Sequence, residues 1–175
     1  MTDGLRPRRL LGVGNRGRGD DAVGPIVAER LRPLVPGDVS VHECSGEATT
    51  LVELLTGARA AYIVDAAVSS TAAIGTVRRF DVRASPLPPL ASGLSTHGLG
   101  LADALALARS LETMPAVCLV YVVEGRDFSP GAALSPPVAR ATEALAVRIL
   151  DDITETMSEQ TGGSHRGTAT NRYSD

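Results

Sequence analysis

The chain predicts an α/β fold: three layers, α/β/α, around a five-stranded, mostly parallel, twisted sheet with one antiparallel edge strand. Three observations carry this. Short apolar runs alternate with segments of helical period along most of the 175 residues. Most of the apolar runs lack a polar face, as strands buried on both sides do. Hydrophobic residues make up 43% of the chain but aromatics only 3%, with no Trp, so the core must be built from Leu, Val, Ile and Ala.

Each element has its own warrant. Residues 9–14, RLLGVG, form a short apolar run that ends in glycines, the mark of a buried parallel strand. A helix is expected over 21–34, because Val23, Val27 and Leu31 recur on one face, and Pro36-Gly37 stops it. Val39–Cys44 reads as the second strand and 49–55 as a short helix ended by Gly57. The third strand is 61–65, AYIVD, with an acid at its end. Residues 75–82 alternate and predict the edge strand, and the proline-rich 85–90 is a loop. Leu101, Leu105 and Ala108 place a helix over 97–111. Residues 117–123 are the last strand, and a loop with Gly125, Pro130 and Gly131 follows. Val138, Ala141, Leu145 and Ile149 set a final helix over 136–156. The order is β-α-β-α-β-β-α-β-α.

One domain is expected over 1–157, with a disordered tail over 158–175. The tail, SEQTGGSHRGTATNRYSD, is polar and nearly free of aliphatic residues, and its His165 is not expected to do chemistry. The net charge of -3 with interspersed signs argues against a nucleic-acid surface. The basic start MTDGLRPRRL leads into a strand and not into an apolar signal core, and no apolar run is long enough to span a membrane. A cytoplasmic protein with no membrane partner is the expectation. Cys44 and Cys118 fit reduced, buried thiols better than a disulfide framework.

In such sheets ligands bind at the carboxyl ends of the strands. There the chain places GNRGRGDD after strand one, Asp65 after strand three and STHGLGL before the third long helix. Asp21, Asp65 and His97 could therefore converge on one rim. Two carboxylates and an imidazole suit a divalent transition ion better than calcium, and the thiolates of a structural zinc site are missing. Each residue also has a plainer role. Asp20 or Asp21 could cap the helix, Asp65 could end a strand in a turn, and His97 could be structural or solvated. Gly12, Gly14 and Gly17 spell the G-x-G-x-x-G of a dinucleotide loop, with Glu43 as a ribose partner. Against that, Asp20 and Asp21 stand where pyrophosphate would sit, with Arg16 and Arg18 a partial offset. No G-x-S-x-G elbow is present, and His42 with Cys44 reads as packing more readily than as a dyad.

LLGVGNRGRGDDAVG, YIVDAAVS and STHGLGLADAL, in this order, resemble the hydrogenase maturation endopeptidases, over roughly residues 9–155. The pieces VVEGRDFSPG and LSPPV resemble one branch of that family. The resemblance implies an endopeptidase that removes the C-terminal extension of a nickel–iron hydrogenase large-subunit precursor once nickel is inserted. The nickel, brought by the substrate, would be the recognition handle, and zinc or cadmium could occupy the site in vitro. Carried over, the metal-binding and catalytic positions fall on Asp21, Asp65 and His97, with Asp20 as the helix cap beside them. The implied partner is the precursor, and a monomer is the default. Where many members have D-G-G-T or D-G-E after the second strand, this chain has Cys44-Ser45-Gly46-Glu47. Ser45 supplies no carboxylate, so Glu43 or Glu47 would have to substitute. Two alternatives remain: a non-catalytic binder of the nickel-loaded precursor, and a nucleotide-binding enzyme.

Overall fold

In the computed structural model, which describes residues 6–69, 71–88 and 100–162, five strands form one sheet. They are β1 (Arg8–Val13), β2 (Val39–Cys44), β3 (Ala60–Ala67), β4 (Val77–Asp81) and β5 (Val117–Glu124), in the spatial order β2-β1-β3-β5-β4. All pairings are parallel except that of β4 with β5. The expected architecture, including the antiparallel edge, is what the chain adopts.

Four helices cover the sheet: α1 (Val23–Leu31), α2 (Ala48–Leu55), α3 (Leu101–Ser110) and α4 (Pro136–Gly162). Strand alternation divides the core in two. Leu11, Val13, Ala61, Ile63, Val120 and Val122 pack against α2 and α3. Leu10, Tyr62, Val64, Tyr121 and Val123 pack against α1 and α4. The helical faces read from periodicity are the buried ones, with Val23, Val27, Leu31, Val138 and Ile149 all fully enclosed.

Several boundaries differ from expectation: α1 ends at Leu31 and not at 34, α3 begins at Leu101 after Gly100, and β3 runs on to Ala67. Two further differences have causes in the fold. The first helix does not begin at Asp21; Gly19–Ala22 form a 3-10 turn and α1 starts at Val23. The cause is tertiary and lies in Asp20, described below. The last helix continues to Gly162, six residues past its expected end and into the segment read as tail. Its last packed turns are anchored by polar contacts that carry no hydrophobic period. The Tyr62 and Thr156 hydroxyls are 2.6 Å apart, Tyr121 donates to Asp152 at 2.5 Å, and Arg8 donates to the Ile153 carbonyl at 2.8 Å.

The site follows from topology. From β1 the chain runs through α1 to the outer strand β2, then crosses back to β3 on the other side of β1. The carboxyl ends of β1 and β3 are therefore the switch point, where loops diverge and leave a crevice.

Candidate active site

Close packing of α1 on the sheet builds the floor of this crevice. A Cβ on Gly24 would lie 2.2 Å from the Val13 carbonyl oxygen and 2.7 Å from that of Val64. Only glycine lets the helix sit this low. Gly14 has φ +134°, and a Cβ there would stand 1.9 Å from the Asp21 carbonyl oxygen. The glycines of the first loop thus bring Asp21 down against the end of β1.

Asp21 is half-buried, and its Oδ2 accepts the Asn15 amide at 3.0 Å. Burial raises its pKa, against the Asn15 bond and the charge of Arg18. Asp65, near the end of β3, shares the alternation of Ala61, Ile63 and Ala67 and so faces the α2/α3 side. Its Oδ1 accepts the Ala66 amide at 2.8 Å. Loss of hydration pushes its pKa up to about 8; the Ala66 bond opposes this and the charge of Asp21 adds to it. Although Asp65 keeps some solvent contact, the protein groups crowding its carboxylate dominate. The two carboxylates are thus close enough to feel each other. A cation between them would relieve both the repulsion and the lost hydration.

His97 lies outside the described residues, and among the described residues no three His, Cys, Asp or Glu side chains group into a metal site. The direction of α3 is nonetheless informative. Its C-terminal end is tied to the end of β4 by Arg109, which donates to the Val82 carbonyl, and residues 111–116 lead straight into β5. Because β4 is antiparallel, that end lies at the amino side of the sheet. The N-terminus of α3, at Gly100, is directed toward the carboxyl rim on the face that Asp65 occupies.

Asp20 is not the helix cap that the sequence suggested. The 3-10 turn follows Arg18 with no side-chain cap. Asp20 is fully buried, and its carboxylate binds the loop after β5 instead. It accepts the amides of Arg126 at 2.8 Å, Asp127 at 3.1 Å and Ser135 at 2.7 Å, and the Ser135 hydroxyl at 2.7 Å. Burial acts to raise its pKa, but these bonds outweigh it and the pKa falls. The doubled acid was the available signal, since one cap needs only one carboxylate.

Glu124 was also missed. It ends β5 fully buried, where its carboxylate accepts the Ser69 amide and, at 3.3 Å, an Arg78 Nη2. It thereby holds the loop that leaves β3 just after Asp65. An apolar run with a terminal acid gives little hint of this, because the partners come from distant segments.

Three other readings can be judged. Glu43 is held by Arg16, at 2.9 Å, and by Arg32, at 3.6 Å. By alternation with buried Cys44 it points to the opposite face from Asp65, so it is placed neither to replace the carboxylate absent at Ser45 nor to meet a ribose. Ser45 and Glu47 are exposed. Where a dinucleotide would rest its phosphates, the Asn15 amide is already taken by Asp21. Cys44 and Cys118 are free and buried, with pKa values pushed up by lost hydration to about 11 and about 12, and the His42 Nε2 lies 3.0 Å from the Ser40 hydroxyl. No activated thiol results.

The chain and its fold have known counterparts. A family model described as HycI, hydrogenase maturation protease, matches residues 27–152. The hydrogenase 2 maturation protease of Escherichia coli (strain K12) is 29% identical over 149 residues, covering 83% of this chain and 90% of that protein. Among solved structures, the hydrogenase maturating endopeptidase HybD from E. coli is similar with a TM-score of 0.69 at 26% identity, over 86% of this chain and 93% of that one. The [NiFe] hydrogenase maturation protease HycI from Thermococcus kodakarensis KOD1 is similar with a TM-score of 0.65 at 26% identity, over 87% of this chain and 95% of that one.

Proposed function

The chain belongs to the hydrogenase maturation protease family, a family of peptidases, and on that premise we propose that it removes the C-terminal extension of a nickel–iron hydrogenase large-subunit precursor after nickel insertion. The observation that carries the reading is the placement of Asp21 and Asp65 after β1 and near the end of β3, at the switch point, with the charge of Asp21 felt at Asp65 and no cationic side chain bonded to either among the described residues.

Nickel is here part of the substrate. The precursor holds the ion through its own cysteines, and Asp21, Asp65 and His97 complete its coordination from the protease. Two carboxylate oxygens and an imidazole nitrogen are a fitting donor set for such an ion. A site short of ligands holds a free ion weakly and a substrate-held ion well, so cleavage reports that insertion is complete. The ion orients the tail and can polarise the scissile carbonyl. A carboxylate bound to the ion is not free to act as general base at the same time.

The test is a mass-spectrometric cleavage assay on the cognate precursor, nickel-loaded and nickel-free. A shortened product only in the loaded sample is expected. Equal cleavage of both samples would remove nickel as the handle. Tight, nickel-dependent binding without product would favour a binder that lacks the chemistry, the reading that exposed Ser45 keeps in view.

A further inference from the structure

The segment 125–135 after β5 reaches the turn after β1, although β1 and β5 are not neighbours and β3 lies between them. It must therefore cross the carboxyl end of β3 as a strap. Backbone bonds fasten it: Asp20 N–H to Asp127 O at 2.7 Å, Gly19 N–H to Ala132 O at 3.1 Å and Gly131 N–H to Gly17 O at 2.7 Å. The Arg18 Nε donates to the Phe128 carbonyl at 3.2 Å. A Cβ on Gly125 would stand 2.9 Å from the Asp20 Cβ, so strap and turn touch directly.

The Asp20 carboxylate is the centre of this joint. Oδ2 accepts from the Arg126 amide, the Asp127 amide and the Ser135 hydroxyl, and Oδ1 from the Ser135 amide. With three donors on Oδ2, one on Oδ1 and the side chain fully enclosed, this carboxylate is committed to the strap and is not presented to a cation or a peptide. Asp21, the next residue, has the complementary character: its side-chain bond among the described residues is the one from Asn15. A 3-10 turn of four residues, Gly19–Ala22, has little rigidity of its own.

We propose that Asp20 is a positioning residue, which fixes the Asp21 carboxylate at the rim by tying its turn to the strap across β3. The proposal rests on the reading of Asp21 as a ligand in the section above. It predicts that loss of the Asp20 joint weakens cation binding without removing any ligand, as loss of the groups that orient metal ligands does elsewhere.

The test uses the full chain, with cadmium alone as the calorimetric probe. Asp20→Asn keeps the shape, but in either orientation its amide nitrogen meets at least one backbone N–H whose bond it cannot accept. Its cadmium affinity should fall by about 10–100-fold, and the Arg126 and Asp127 amides should exchange hydrogen faster in the metal-free protein. Ser135→Ala, which removes one of the four bonds, should move both readouts the same way by a smaller step, and it carries the test if Asp20→Asn does not fold. Arg8→Lys, at the amino end of the sheet, should lower stability and leave affinity unchanged; an equal affinity loss there would reduce Asp20 to a stability effect and overturn the proposal. Wild-type affinity and exchange in Asp20→Asn, or in Ser135→Ala should that variant alone fold, would also overturn it, provided Asp21→Ala abolishes binding. Undiminished binding in Asp21→Ala, or none in the wild type at millimolar cadmium, would instead remove the site reading itself.

Discussion

Asp65 illustrates how a carboxylate deprived of hydration costs its fold stability. In the unfolded chain an aspartate titrates near 3.9, whereas in the fold lost hydration holds Asp65 up to about 8. The native state therefore keeps a proton that the unfolded state releases, and the metal-free protein loses stability as pH rises between these values. Asp65→Asn mimics the protonated form. Its melting temperature should exceed the wild type's by a margin that widens from pH 5 to pH 8, by roughly 2–8 °C once partial solvent contact is allowed for. Scanning calorimetry without metal measures this, and a margin constant with pH would contradict the buried-carboxylate account. The same variant should process no precursor. His97→Ala should also abolish processing with an unchanged circular-dichroism spectrum; undiminished product from it would remove the imidazole from the ligand set. The residue types at this rim could be read in the sequence, because topology assigns strand ends to it. What Asp20 and Glu124 do could not, because their partners lie in the strap and in the loop after β3.

At the scale of elements, the β1–α1 unit explains why a glycine-rich loop here serves carboxylates. The glycines let α1 press on the sheet and Asp21 press on the end of β1. Adding one methyl tests this. Gly24→Ala would drive a Cβ against the backbone of both Val13 and Val64, which cannot rotate away. A stability loss of about 1–3 kcal/mol is expected in urea unfolding, whereas Gly37→Ala, where a Cβ meets nothing within 4 Å, should change little. Helical periodicity anticipated α1 and its buried face correctly. It missed the 3-10 entry, because a propensity argument assigns Asp20 to the helix end nearest in sequence, while the carboxylate found better donors in the strap.

For the whole molecule, two helix pairs on one sheet leave the carboxyl rim as the place where distant loops meet. The amino end is closed by a different device: buried Arg8 holds Asp38 through two bonds, at 2.8 and 2.7 Å, and donates to the Ile153 carbonyl within α4. This sets how far the chain can be shortened. Removal of residues 163–175, a polar stretch with no aliphatic run, should leave the melting temperature within about 2 °C of the full chain. Removal from Asp152 onward deletes the partners of Tyr121, Arg79, Arg8 and Tyr62. That variant should lose several degrees or fail to fold. Equal melting temperatures for the two truncations would show that α4 is not anchored by these contacts.

The sequence by itself determined the fold class, the order of elements and the acids that stand at the carboxyl ends of the strands. Those properties are local: apolar runs, helical period and strand ends follow from neighbouring residues, and a parallel sheet with right-handed crossovers allows few arrangements. Only the tertiary structure decided which of two adjacent aspartates is committed to an internal joint. The choice rests on four donors more than a hundred positions away in the chain, which enclose Asp20 and leave Asp21 with the Asn15 amide as its side-chain bond among the described residues.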